Sequence, residues 1–260
     1  MKIVNGVEIP QIGLGTWLTE NNEVGEVIKR AIEVGYRHID TAQAYGNEEG
    51  IGKALKEINI KRSDIFITSK VKAEIKNYKD ALASIKESLK KLQVEYIDLM
   101  LIHCPQPWNE YGSSYRYEKE NIEVWKALEE SYKNGLVRAI GVSNFNISDL
   151  KNIFSSCTII PMVNQCLCHP HNTPIDIINF CKENDILFEA YSPIAHGRMK
   201  DNEVVNKLAS KYNKTYAQIS IKYCESLDVV VLPKARSLEH LKNNLDLDFT
   251  ISKEDLDLLR

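Results

Sequence analysis

A closed α/β barrel of eight strand-helix units, folding as one domain over residues 1–260, is the architecture this sequence predicts. Three observations lead there. Short apolar runs alternate with amphipathic stretches along most of the chain. The runs are continuously apolar, as parallel strands covered on both faces must be. They number eight, which at this length favours a closed (β/α)8 TIM barrel over an open doubly wound sheet.

The elements follow in order. Lys2-Ile3-Val4-Asn5-Gly6-Val7-Glu8-Ile9 reads as a β-hairpin, because Asn-Gly best tolerates a type I′ turn, and it is expected to close the bottom of the barrel. A strand over 13–16 precedes a helix with Val24, Ile28, Ala31 and Ile32 on one face, which Gly35 ends. The strand over 36–41 runs into a loop carrying Asp40 and Tyr45, and Asn47 is the expected N-cap of a helix over 49–58. Further strands are expected over 65–70, 97–103, 139–144, 162–165, 187–192 and 229–234. Between them Leu82, Ile85, Leu89 and Leu92, and then Ile122, Trp125, Leu128 and Tyr132, repeat at helical spacing. Thr173 before Pro174 at N1 marks a helix start, as does the capping box of Thr215 and Gln218. The segment 104–120, rich in Pro, Gly, Ser and aromatics, has no period and is expected to be a lid or binding loop. A last helix spans Ser252 to Arg260.

Composition excludes several classes. With 43% hydrophobic and 27% charged residues and a net charge of -3, the chain has no electrostatic footprint for nucleic acid. No signal-peptide core and no run of membrane-spanning length is present, which predicts a cytoplasmic protein without membrane contact. The six cysteines lack a C-x-x-C pair and sit in apolar segments, as reduced thiols do.

Function is written at the carboxyl ends of the strands. The apolar runs stop at Thr16, Asp40, Lys70, His103, Ser143-Asn144, Gln165, Tyr191-Ser192 and Lys234. In a barrel these ends share one rim, where barrel enzymes carry their active sites. Asp40, Tyr45, Lys70 and His103 would meet there, and together they suit proton transfer to a carbonyl oxygen. A tyrosine keeps its proton at neutral pH, its ordinary pKa being about 10. A neighbouring Lys70 ammonium would stabilise the phenolate, Asp40 would hold that lysine, and His103 would orient the carbonyl. None of these groups can supply a hydride, so a cofactor is required.

At these residues the sequence resembles the aldo-keto reductase family, over nearly its whole length. The matching pieces are Gly13-Leu14-Gly15-Thr16-Trp17, Gly35-Tyr36-Arg37-His38-Ile39-Asp40-Thr41-Ala42 with Tyr45-Gly46-Asn47-Glu48, Ile67-Thr68-Ser69-Lys70, and Asp98-Leu99-Met100-Leu101-Ile102-His103. Gly135 to Phe145, Asn164-Gln165, Tyr191-Ser192-Pro193 and Pro233-Lys234 complete the match. The resemblance implies a reductase that moves hydride from nicotinamide C4 to an aldehyde or ketone, with Tyr45 as general acid and Asp40, Lys70 and His103 in the roles above. It implies that Tyr191 stacks on the nicotinamide and that Ser143, Asn144 and Gln165 bind its carboxamide. Ser192 and Ile194 would line the pyrophosphate path, with Thr16 also on the cofactor. Lys234, Arg236, His240 and Asn244 would take the adenosine end. A small carbonyl substrate would meet Trp17, Tyr45, His103 and Trp108. No Rossmann fingerprint is needed, and Leu18 stands where its third glycine would be.

The chain departs from the family's pattern at the adenosine end, where a lysine and serine are usually followed by an arginine and a Glu-Asn pair. Here Ala235 follows Lys234, His240 takes the arginine's place, and the pair reads Asn243-Asn244. Imidazole is mostly neutral at pH 7, so NADP(H) should remain the better cofactor with weaker discrimination, NAD(H) also being accepted. Cys104 replaces a tryptophan common in relatives, and little chain follows the last helix, which leaves Trp17, Trp108, Tyr111, Tyr115 and Tyr117 to select substrate.

A metal-dependent barrel hydrolase using Cys166, Cys168, His169 and His171 is the rival enzyme, although alternate residues of one strand wrap a tetrahedral ion poorly. A nucleotide-sensing subunit without turnover is the non-enzymatic alternative. The expected protein is a monomer that holds no resident metal.

Overall fold

The computed structural model describes residues 2–4 and 6–260. Strands β1 (Lys2–Val4) and β2 (Val7–Ile9) form an antiparallel hairpin with Lys2 opposite Ile9. Asn5 of the expected turn lies outside the described residues, and Gly6 takes φ +76°, a left-handed conformation that glycine adopts without penalty. Lys2 pairs with Asp228, just ahead of the last barrel strand, and Val7 and Ile9 are buried. The hairpin therefore lies at the amino ends of the barrel strands.

Eight strands make the barrel: β3 (Leu14–Gly15), β4 (His38–Asp40), β5 (Phe66–Val71), β6 (Ile97–Ile102), β7 (Val137–Ser143), β8 (Val163–Leu167), β9 (Leu187–Tyr191) and β10 (Val230–Leu232). They pair in parallel in sequence order. The ring closes where Ile12 bridges Val231 and the Gly13 and Gly15 amides donate to the Val231 and Pro233 carbonyls, each at 2.9 Å. Every residue of β5 and β6 is buried, which explains why these strands lack polar alternation. Gly141 on β7 is dictated by sterics, since a Cβ there would stand 2.4 Å from the Val163 carbonyl oxygen.

The covering helices are α1 (Val24–Glu33), α2 (Glu48–Ile58), α3 (Tyr78–Leu92), α4 (Glu118–Lys133), α5 (Ile147–Phe154), α6 (Ile175–Glu183), α7 (Glu203–Tyr212), α8 (Tyr216–Ser226), α9 (Leu238–Leu245) and α10 (Lys253–Asp257). Ala81, Ile85, Ser88 and Leu92 of α3 form one buried stripe, and burying each large aliphatic side chain of this kind is worth about 1.5–3 kcal/mol. At the amino end, the buried Asp98 carboxylate accepts from the Ile67 amide at 2.9 Å and from Arg62 and Arg138 at 2.5 and 2.9 Å, tying β5, β6 and β7 together.

Asn47 takes the N-cap position of α2 as expected, but its side chain makes no capping hydrogen bond. It donates instead to the Thr16 and Thr19 carbonyls, at 3.0 Å each, and accepts from the Thr41 hydroxyl at 2.7 Å. Pro174 is the N-cap of α6 rather than N1, and the Thr173 hydroxyl is drawn away to the Tyr223 hydroxyl at 2.5 Å. The last helix is confined to Lys253–Asp257, capped by Ser252. The Thr215–Gln218 capping box forms as expected.

Candidate active site

Because parallel strands end at one rim, residues far apart in sequence arrive together. Lys70, near the end of β5, is fully buried and points across the barrel mouth. Its ammonium donates to both oxygens of Asp40, at 2.7 and 2.8 Å, and to the Thr41 carbonyl at 3.0 Å. The Tyr45 hydroxyl stands 3.4 Å from the same nitrogen, delivered by the short 3-10 turn Gln43–Tyr45 that follows β4. His103 lies just past β6, its ring 5.6 Å from that of Tyr45 and steeply inclined to it. The four groups expected to act together do meet.

Their electrostatics divide the roles. Burial penalises the Lys70 charge, but Asp40 and then Tyr45 outweigh that penalty, so its pKa is raised and it stays an ammonium. Burial raises the Tyr45 phenol above its ordinary value while Lys70 pulls the other way. The expected help from Lys70 is thus present as the opposing influence, and the phenol keeps its proton. Burial, with Lys70 second, drives His103 down to about 3, so the imidazole is neutral. Its buried Nδ1 has no partner among the described residues.

Beside this quartet the ends of β7, β8 and β9 are stitched to one another. The Ser143 hydroxyl donates to the Gln165 carbonyl at 2.8 Å. Asn144, at φ +63°, donates to the His103 carbonyl at 3.0 Å and accepts from the Tyr191 hydroxyl at 2.8 Å. The Gln165 side-chain nitrogen donates to Asp40 at 2.8 Å and to Glu189 at 2.9 Å. Thr16 is buried and donates through its hydroxyl to the Asp40 carbonyl at 2.9 Å, so it supports β4 from behind.

The remaining predicted residues fall into separate groups. After β9, Ser192, Ala195 and His196 all have positive φ, and Ile194 is half-buried beside them. Lys234 and Arg236 both donate to the Leu18 carbonyl, the lysine at 3.2 Å, just before α9. Burial and then Arg236 lower the Lys234 pKa. His240 is exposed on the first turn of α9, which Ser237 caps. Lys234 and Arg236 stand shortly before the N-cap Ser237 in sequence, and cations beside a helix N-terminus make a setting that favours phosphate. Asn244 is instead buried beside Tyr36.

Trp108 is 42% exposed, and its ring stands 5.2 Å from that of His103 at 89°. Tyr111 follows at 5.8 Å from Trp108, whereas Tyr115 and Tyr117 pack on each other and bond Glu120 and Glu110. Trp17, 44% exposed, touches His196, 5.2 Å between ring centres.

Two residues here escaped the sequence reading. Lys76 holds the aromatic loop, donating at 3.0 Å each to the Cys104 and Pro105 carbonyls and to Asn121. Glu189 is wholly buried in β9, and the available signal was a carboxylate in the middle of an otherwise apolar run. Cys166, Cys168, His169 and His171 do not gather. Cys168 is buried, His171 is exposed, and the described residues contain no group of three or more His, Cys, Asp or Glu able to hold a metal.

Comparison with known proteins agrees with this geometry. The sequence model described as the aldo/keto reductase family matches residues 11–260. Glyoxal reductase of Bacillus subtilis is 42% identical over 259 residues, covering 99% of this chain and 90% of that protein. Methylglyoxal reductase DkgA of Escherichia coli is 39% identical, covering 98% and 90%. Among solved structures, an aldo-keto reductase enzyme from a Medee basin deep-sea metagenome library superposes with a TM-score of 0.91 at 38% identity, covering 98% of this chain and 92% of that one. The Bombyx mori aldo-keto reductase solved in complex with NADP gives 0.88 at 31%, covering 98% and 90%.

Proposed function

The chain belongs to the aldo/keto reductase family, and on that premise we propose that it reduces small reactive carbonyl compounds to alcohols with NADPH, α-dicarbonyls such as glyoxal and methylglyoxal among them. One observation carries the reading: a buried ammonium clamped by Asp40 stands 3.4 Å from a protonated tyrosine hydroxyl, beside a neutral imidazole.

The donor set suits the cofactor. Tyr191 offers a half-exposed ring at the rim, and both amide hydrogens of Gln165 are engaged below, which leaves its carbonyl oxygen to meet a carboxamide. Lys234, Arg236 and the α9 N-terminus suit a 2′-phosphate. With His240 where a permanently charged guanidinium would discriminate more strongly, the preference for NADPH over NADH is modest.

When bound, NADPH supplies the hydride that reaches the carbonyl carbon. The protein's own work is at the oxygen. The neutral His103 holds the carbonyl and the Tyr45 hydroxyl gives it a proton, so that carbonyl, NADPH and a proton become alcohol and NADP+. Lys70 stabilises the phenolate left behind, and Asp40 keeps Lys70 charged and in place. Trp108 and Tyr111 wall the approach and suit a small, partly apolar substrate. Among the described residues no helix is long and apolar enough to cross a membrane, and we read the protein as a cytoplasmic monomer.

The test is NADPH consumption with glyoxal and methylglyoxal. Tyr45→Phe should lower kcat by about 10²–10⁴ while NADPH binding, followed by fluorescence, persists. Undiminished turnover in that variant would refute Tyr45 as the acid.

A further inference from the structure

Glu189 is a fully buried acid of the barrel interior that the reaction above does not use. It is 0% exposed, level with Gln165 on β8 and Val230 on β10. Strand alternation puts its side chain on the same face as that of Tyr191, one layer deeper. Its Oε2 accepts from Gln165 Nε2 at 2.9 Å, and Oε1 is buried without a partner among the described residues. Such an orphaned oxygen is costly and calls for a reason.

The Gln165 amide explains the arrangement. Asp40 is already a carboxylate on Lys70, so Gln165 must present nitrogen to it, and does so at 2.8 Å. The amide's second hydrogen goes to Glu189 at 2.9 Å, which leaves the side-chain oxygen as the atom with which Gln165 can accept a further hydrogen bond.

Resting on the proposed nicotinamide chemistry, we propose that Glu189 is a positioning residue for the cofactor's nicotinamide end: from beneath Tyr191 it locks the Gln165 carboxamide in the one orientation that can read the cofactor's own amide. Gln165 and Asp40 are then set by opposite walls of the barrel. The charged groups facing Glu189 are Asp40 on β4 and Lys70 on β5. Burial pushes its carboxyl up to about 8, Gln165 and Lys70 pulling it back and Asp40 adding to the rise. Near neutrality it is a neutral acid, as would suit a neutral reduced ring. Above that range it becomes an anion, which favours the cationic ring of NADP+.

The experiment is fluorescence titration of NADPH and NADP+ against wild type, Glu189→Leu and Glu189→Gln across the pH range around Glu189's titration. Glu189→Leu should weaken NADPH binding about tenfold, the scale of one lost buried hydrogen bond, and Glu189→Gln should restore it. In wild type the affinity for NADP+ relative to NADPH should rise with pH, and in Glu189→Gln the ratio should be flat. Wild-type affinity in Glu189→Leu, or a Glu189→Gln profile superimposable on wild type, overturns the proposal. Should Glu189→Leu fail to fold by circular dichroism, the Glu189→Gln profile decides alone. If wild type itself binds neither nucleotide, the reductase reading falls and takes this inference with it; if wild type binds and the variants match it, only this inference falls.

Discussion

Lys70→Met tests the ion pair on which the site is built. The substitution keeps most of the side-chain volume and removes the ammonium. Asp40 then loses contacts of 2.7 and 2.8 Å, the Thr41 carbonyl loses a donor at 3.0 Å, and the buried carboxylate keeps Gln165 at 2.8 Å. Both side chains of the pair are almost wholly buried, so solvent screens little of this loss. Breaking such a pair from one side costs about 3–5 kcal/mol. In a chain of this size that is a fall in Tm of roughly 6–20 °C, measurable by circular dichroism. The pH dependence has a definite sign. The Lys70 pKa is raised above its ordinary 10.5, so its contribution is complete below that value and is lost as pH rises through the higher folded value. The gap between wild type and variant should therefore be steady through neutral pH and close in alkali. Replacing both partners, as Asp40→Leu with Lys70→Met, should recover most of the stability but no activity, because stranded charge and not lost attraction dominates the single variant. A Lys70→Met protein that melts with wild type, or a double variant no more stable than the single one, would refute the reasoning.

Other outcomes follow from the same geometry. The His103 pKa falls from 6.5 to about 3, so between those values the unfolded chain binds a proton that the folded one refuses; wild type should lose on the order of 1 kcal/mol per pH unit there, and His103→Gln should lose less in acid denaturation series. Lys234→Ala with Arg236→Ala should lower kcat/KM for NADPH by about tenfold or more and for NADH only slightly, since in the role proposed above the two cations would meet a 2′-phosphate that NADH lacks; equal losses would remove them from that role. Gly141→Ala should cost about 1–3 kcal/mol in urea unfolding, because the new methyl meets the Val163 carbonyl at 2.4 Å.

What the chain alone determined is whatever depends on neighbours in sequence. Continuous apolar runs such as Leu99 to Ile102, short and set between helical stripes such as that of α3, read as strands covered on both sides. Asp40, Lys70 and His103 were legible because each ends such a run, and Tyr45 because it follows Asp40 in the same short loop; a barrel brings all such ends to one rim. Tertiary structure decided what depends on through-space partners. Asn47 has a capping residue's position, yet three backbone and side-chain groups of the neighbouring loops claim its amide. Thr173 was drawn off its helix by Tyr223 from another segment of the chain. Glu189 shows the division most clearly. In sequence it is a carboxylate in an apolar strand; pairing of neighbouring strands puts it against Gln165, and only closure of the barrel lets the other hydrogen of Gln165 reach Asp40, 125 residues from Gln165 in sequence. The cost of burying a charge is set by which groups surround it in space, and no local pattern encodes that distance.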